Sequence, residues 1–259
     1  MPFTVVIPAR MKSSRLPEKP LKLIAGKPMV VRVAETASRS EASRVVVATD
    51  HPDIEIVCRQ YGVEVVMTKE SHPTGTDRLA EAVEKLDLPD DDIVVNVQGD
   101  EPLMPPEAIN AVASLLIERP NCAISTAAHP ILDIENFKNP NVVKVILDAE
   151  GNAITFSRAP IPYPRDEWRK DESLLPTAVK PLHHLGLYAY RVGFLKHFPI
   201  LEQAPIEKSE SLEQLRALYY GEKIAVLVLD RELPAGVDTE DDLKRVCQLW
   251  TVLHAKEKV

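Results

Sequence analysis

The chain has 259 residues, 45% of them hydrophobic, enough to build a sizeable core. Its 31 basic against 39 acidic residues leave a net charge of -8, which excludes whole-molecule attraction to nucleic acid or to an anionic membrane; any anion it binds must be caught by a local cluster. The longest apolar runs, DDIVVNV (91–97) and KIAVLVLD (223–230), are far shorter than the roughly 20 residues a membrane span needs.

Residues 1–15 place a short apolar run before the charges, the reverse of a secretory signal, which predicts a cytoplasmic protein. The strand-like run FTVVI (3–7) then gives way to a loop carrying Arg10, Lys12, Arg15 and Lys19, with no glycine before Gly26. Apolar residues at helical spacing follow: Met29, Val33 and Ala37 after GKP, then Ile54, Cys58 and Tyr61 after DHPD. Between and beyond these lie RVVVAT (44–49), VEVVM (63–67) and IVVNV (93–97). Strands apolar throughout, alternating with helices, predict an α/β fold: a doubly wound, mostly parallel sheet covered on both faces.

The second half changes character. VVKVILDAEGNAITFSRAPIPYP (142–164) predicts two strands around a turn at Gly151-Asn152, HLGLYAYR (184–191) alternates like a strand, and SESLEQLRALYYG (209–221) has the pattern of one capped helix ended by Gly221. KIAVLVLD adds a strand, and a last helix follows GVDTEDDL to about residue 256. The expectation is one domain over 1–259 with a smaller antiparallel subdomain inserted at about 130–205. Cys58, Cys122 and Cys247 are odd in number and widely separated, so they are expected as buried or partly buried thiols, outside any disulfide framework or zinc site.

Ligands of such sheets sit beyond the carboxyl ends of the strands, where the cationic loop and QGDEP (98–102) both fall. Neither common glycine-rich phosphate loop occurs, so side-chain cations must share the work with backbone amides. Arg10, Arg15 and Lys19 supply forked and point-charge donors, and Ser13 and Ser14 add small ones, a set that suits a triphosphate better than a single phosphate. Asp100, next to the permissive Gly99, is then best explained by Mg²⁺, because a bare carboxylate would repel the phosphates. The plainer role for Asp100 or Glu101 is capping the turn before Pro102. In LPAGVDTEDDL, Asp238 is the better metal-ligand candidate, while Asp241 and Asp242 suit a helix start.

Seven segments in order, IPARMKSSRLPEKPL, TGTDR (74–78), VQGDEP, SRAPIPYPRD (157–166), HHLGLYAYR (183–191), ESLEQLR (210–216) and GVDTEDDL, resemble the 3-deoxy-manno-octulosonate (Kdo) cytidylyltransferase, or CMP-Kdo synthetase, family over essentially the whole chain. The resemblance implies a nucleotide-diphospho-sugar transferase-like fold that transfers CMP from CTP to the anomeric hydroxyl of Kdo for lipopolysaccharide biosynthesis, with Mg²⁺ as cofactor and a homodimer formed through the inserted segment. It implies that Ala9, Arg10, Arg15, Lys19, Thr76 and Arg78 bind the nucleotide, and that Gln98, Arg158, His184, Tyr188, Glu213 and Gln214 line the sugar pocket. Lys19, Asp100 and Asp238 would carry catalysis, the two aspartates holding the metal. His184 is read as a substrate-binding or structural histidine in preference to a general base. Two departures stand out: Glu18 where the family commonly has glycine, and Asp77 where it has glutamate. A cytidylyltransferase for 8-amino-Kdo or a sialic acid, and a non-catalytic nucleotide sensor, are the competing readings.

Overall fold

The computed structural model describes residues 2–13, 15–72 and 74–255, so Ser14 lies outside the described residues. In chain order its elements are β1 (Phe3–Ala9), β2 (Leu23–Ile24), β3 (Lys27–Pro28), α1 (Met29–Ala37), β4 (Arg44–Thr49), α2 (Pro52–Gln60), β5 (Glu64–Met67), α3 (Gly75–Lys85), β6 (Ile93–Asn96) and α4 (Pro106–Glu118). There follow β7 (Ile124–Pro130), α5 (Ile134–Lys138), β8 (Lys144–Leu147), β9 (Ala153–Ser157), α6 (Arg165–Trp168), β10 (Leu182–Arg191), α7 (Val192–His197), α8 (Pro205–Glu210), α9 (Gln214–Tyr219), β11 (Ile224–Val228) and α10 (Glu240–Ala255). They group into two compact units, one made of Met1–Ala113, Arg191–Pro199 and Leu233–Val259, the other of Ser114–Tyr190 and Ile200–Glu232.

In the first unit β1 pairs in parallel with β6 on one side and β4 on the other, and β4 pairs in parallel with β5. Val5, Val6 and Ile7 are consecutive and all fully buried, as are Ile93, Val94 and Val95, so both faces of these strands are covered. That coverage is why the strands are apolar without alternation. The apolar faces of α1, through Met29, Val30 and Val33, and α3, through Leu79, Ala82 and Val83, are buried in the same unit. A separate cluster joins Leu16, Ile24 and Met29 to Val237, Val246 and Trp250, and so ties the middle of the cationic loop to α10.

In the second unit β7 pairs in parallel with β11 and antiparallel with β10, while β8 bridges β10 and β9 in antiparallel register. The turn between β8 and β9 is built on Asp148, whose carboxylate accepts from the backbone N–H groups of Glu150 and Asn152, with Gly151 in the left-handed region at φ 82°. The segment read as a single helix over 209–221 is two: α8 stops at Glu210, Ser211 turns left-handed at φ 51°, and α9 starts at Gln214. A buried ion pair holds the two pieces together, with Arg216 Nη2 2.6 Å from Glu207 Oε1 and Nε 2.8 Å from Oε2. The expected insertion at 130–205 falls in this unit except for Arg191–Pro199.

Candidate nucleotide and acceptor sites

The cationic loop leaves the carboxyl end of β1 and lines a cleft of about 300 Å³. Arg10, Lys12, Ser13, Arg15 and Lys19 line it from the loop, Gln98, Gly99 and Asp100 from the turn after β6, and Asp238 from the approach to α10. Two constraints fix the loop. Leu16 is buried in the α10 cluster, so its charged neighbours stay outside. Glu18 takes the left-handed conformation, φ 54° and ψ 31°, to start the short 3₁₀ turn that carries Lys19. A glycine would enter that backbone state without a Cβ penalty.

Gly99 answers to a different demand. A Cβ there would stand 2.8 Å from the Pro8 carbonyl oxygen, so the β6 turn can lie against the end of β1 only without a side chain. Gly236 repeats the device, since its Cβ would meet the Asp100 carbonyl at 3.1 Å, and the next residue, Val237, donates its N–H to that carbonyl at 2.8 Å.

These approaches bring Lys19, Asp100 and Asp238 to one point. Lys19 Nζ donates to Asp100 Oδ2 at 2.6 Å, to Asp238 Oδ1 at 3.1 Å and to the Val237 carbonyl at 3.1 Å. Burial opposes its charge, but the hydrogen bonds and charges of the two aspartates outweigh it and hold the ammonium above the ordinary lysine pKa. Arg15 Nη2 reaches Asp238 Oδ2 at 3.1 Å, while Lys12 is drawn aside to Glu70 at 2.6 Å and Arg10 is exposed. Glu101 turns inward: burial first, then the neighbouring Asp100 charge, push its carboxyl up to about 8. Asp100 is therefore the carboxylate that faces the cleft.

The donor set suits a magnesium ion. Two carboxylates converge on a position marked by an ammonium, and Mg²⁺ is commonly held by one or two carboxylates with phosphate oxygens and water completing the shell. No group of three or more His, Cys, Asp or Glu among the described residues is placed to hold a metal by itself.

The TGTDR segment forms the first turn of α3. Thr74 Oγ1 accepts from the Asp77 N–H at 3.2 Å and donates to Asp77 Oδ2 at 2.6 Å, a capping pair in which the shorter acid closes on the cap hydroxyl. Thr76 and Arg78 are both buried. The Arg78 guanidinium is engaged by Asp50 Oδ2 at 2.8 Å and Thr68 Oγ1 at 2.5 Å, contacts that pin α3 to the ends of β4 and β5.

Five of the remaining sequence candidates, Arg158, His184, Tyr188, Glu213 and Gln214, lie in the second unit. His184 and Tyr188 are neighbours on β10, with ring centroids 5.3 Å apart, and the irregularity between Leu185 and Tyr188 lets Thr126 Oγ1 reach the Leu187 carbonyl at 2.8 Å. His184 Nε2 lies 3.0 Å from the same hydroxyl. Burial, then His183, push its pKa to about 3, so it is a neutral hydrogen-bonding group with little basicity. Burial, Tyr190 and Glu213 keep the Tyr188 hydroxyl protonated. Glu213 occupies the N-cap position of α9 without a side-chain cap hydrogen bond, and Gln214 is the helix's buried first residue. The Arg158 guanidinium is directed to backbone, donating to the carbonyls of Glu210 at 2.7 Å, Pro140 at 3.0 Å and Ser211 at 3.4 Å.

Two polar residues that sequence reasoning passed over support this region. Lys144 is fully buried in β8, and Glu210 accepts from Ser157 Oγ and the Arg158 N–H. A signal for the first was present, since a lone lysine inside VVKVIL interrupts an otherwise apolar strand.

Known proteins resemble this chain over most of its length. The cytidylyltransferase family matches residues 4–224. A protein of Neisseria gonorrhoeae (strain NCCP11945) named 3-deoxy-manno-octulosonate cytidylyltransferase is 56% identical over 244 residues, covering 94% of this chain and 96% of its own. A protein of the same name from Neisseria meningitidis serogroup A is 55% identical over the same coverage. Among solved structures, CMP:2-keto-3-deoxy-manno-octonic acid synthetase complexed with CTP superposes with a TM-score of 0.88 at 36% identity, over 98% of this chain and 100% of that one. A cytidylyltransferase from Leptospira borgpetersenii, at 16% identity and TM-score 0.63 over 97% of this chain and 87% of that one, shares the fold.

Proposed function

Because the chain belongs to the 3-deoxy-manno-octulosonate cytidylyltransferase family, we propose that it transfers the cytidylyl group of CTP to the anomeric hydroxyl of Kdo, releasing pyrophosphate. The observation that carries the reading is Lys19 held between Asp100 and Asp238 in a cleft lined by Arg10 and Arg15. A polyanion entering there meets cations from one loop and two carboxylates from two others. Beside phosphates, the charge of those carboxylates would be offset by a divalent cation as well as by Lys19.

In the reaction the sugar hydroxyl oxygen forms a bond to the α-phosphorus of CTP, the bond to the bridging oxygen breaks, and pyrophosphate leaves with the electron pair. The work is alignment of two anions and neutralisation of charge on the departing phosphates. Arg10, Arg15 and the backbone at Ala9 hold the triphosphate, and Lys19 places its positive charge where charge develops. Asp100 and Asp238 would hold Mg²⁺, which when bound supplies Lewis acidity and lowers the pKa of a coordinated hydroxyl. Thr76 and Arg78 shape the nucleoside side. The family resemblance assigns the acceptor to Arg158, His184, Tyr188, Glu213 and Gln214 of the second unit, with His184 acting as a neutral hydrogen-bonding partner, and gives Gln98, which lines the Lys19 cleft, a part in acceptor binding too.

No helix among the described residues is long and apolar enough to cross a membrane. A cytoplasmic homodimer serving lipopolysaccharide synthesis, arranged as one nucleotidyltransferase domain with its acceptor and dimer surfaces at about 130–205, completes the proposal on the family's account. The experiment is pyrophosphate release from CTP and Mg²⁺ with Kdo, 8-amino-Kdo, N-acetylneuraminic acid or no sugar. Release requiring CTP, Kdo and Mg²⁺ together is expected. Preference for another acid would change the acceptor, and nucleotide binding without release under any condition would put a sensor in its place.

A further inference from the structure

We propose that Lys144 is a positioning residue for the acceptor pocket: its buried ammonium locks three chain segments into the arrangement that sets Arg158 and the turn leading to Glu213 and Gln214. The inference rests on the reading that those residues receive the sugar. Lys144 itself has no exposed surface with which to touch a substrate.

The geometry is a closed ring of mostly side chain to backbone contacts, with one between the side chains of Ser157 and Glu210. Lys144 Nζ has three protons and three carbonyl acceptors: Val142 at 2.6 Å, Arg158 at 2.7 Å and Asn139 at 2.9 Å. Glu210 accepts from Ser157 Oγ at 2.6 Å and from the Arg158 N–H at 2.9 Å. Arg158 then returns from the β9 end to the carbonyls of Pro140, Glu210 and Ser211. The 139–142 turn, the end of β9 and the α8–α9 break are thereby held by one lysine, one glutamate and one arginine.

A full charge hydrogen-bonded only to neutral carbonyls is an expensive way to hold a turn. Burial, opposed by Glu210 and reinforced by Arg158, pushes Lys144 down to about 8. An apolar residue of similar length would fill the space in β8, but it would release three carbonyls and with them the Arg158 backbone. Ser211, left-handed and followed within three residues by Gln214, is the hinge on which that release would act. The two cations of the ring face one carboxylate, which leaves a net positive charge where an acidic sugar is to be seated.

The test uses the full-length protein, with Lys144→Met as the first variant and Glu210→Gln as a milder second, because the first can weaken folding. With Kdo and CTP as substrates, both variants should raise the KM for Kdo at least tenfold while the KM for CTP stays within twofold. In the absence of any substrate, amide hydrogen exchange across 139–142 and 210–216 should quicken by at least tenfold. Unchanged exchange in both variants would overturn the inference, as would KM values for the two substrates that rise in equal proportion with a drop in Tm. Wild-type protein that does not use Kdo would instead defeat the reading on which the pocket rests, and the exchange measurement would still decide whether Lys144 holds the ring.

Discussion

The carbonyl oxygen of Pro8 and the α-carbon of Gly99 are so close that a β-carbon on Gly99 would stand 2.8 Å from that oxygen. The contact fixes how near the turn carrying Asp100 lies to the loop carrying Lys19. Gly99→Ala must push the two strand ends apart, at an overpacking cost of about 1–3 kcal/mol. The displacement falls on an aligned site, so kcat should fall about 100-fold, far more than the stability change implies. Parallel measurement of Tm and kcat checks this; a variant with a lowered Tm and intact kcat would show the approach to be packing alone.

Lys19 neutralises two carboxylates that would otherwise repel each other and the phosphates. Lys19→Ala should therefore lower kcat/KM for CTP by about 10²–10³-fold, the scale seen when one charge-stabilising donor is removed. Steady-state kinetics at saturating Mg²⁺ decides it. Turnover within threefold of wild type would remove Lys19 from the catalytic set.

Glu18 sits in a backbone state that disfavours every residue with a β-carbon. Glu18→Gly removes roughly 1 kcal/mol of that penalty, and the extra freedom glycine gains in the unfolded chain offsets part of it, for a net stabilisation on the order of 0.5 kcal/mol. It also withdraws a negative charge beside the proposed triphosphate site, so the KM for CTP should drop a few-fold. Chemical denaturation and CTP kinetics on the one variant report the two effects separately.

Glu81 offers a pH dependence with a defined sign. Burial would raise its pKa, but Lys85, the Lys69 N–H and His72 outweigh burial and bring the carboxyl down to about 2 from an ordinary 4.5. A depressed acid contributes stability that is complete above about 4.5 and is lost as pH falls from there toward about 2. Glu81→Gln should be less stable than wild type at pH 7, and the gap between them should close across that window. Urea titrations at a series of pH values measure it; a gap independent of pH would assign the effect to packing.

The four parallel strands of the first unit were legible because each is a short, unbroken apolar run; RVVVAT (44–49) has the same limits in the sequence reading and in β4. The cleft was legible for a similar reason, since cations and carboxylates crowded at strand ends have few structural uses. What sequence could not supply is long-range geometry. Nothing local in SESLEQLR announces that Ser211 turns left-handed, because the turn is held by Arg158 from 53 residues away. β7 escaped notice because its Ser125, Ala127 and Ala128, small residues without β-branching, owe their strand state to pairing with β10 and β11. Arg78 is recognisable as a motif residue in α3, but its partner Asp50 follows the end of β4.

The cluster that joins Leu16 to Val246 and Trp250 makes the last helix a buttress for the first loop. At its other end Asp242 accepts from the backbone N–H groups of Asp238 and Thr239, at 3.2 and 3.0 Å, and steadies the very residue that faces Lys19. The first loop and the last helix thus share one mechanical foundation. Trimming the chain back past Trp250, although far in sequence from every residue proposed to bind phosphate, should act as a lesion of the proposed active site: the arginines would remain, but the ground they stand on would be gone.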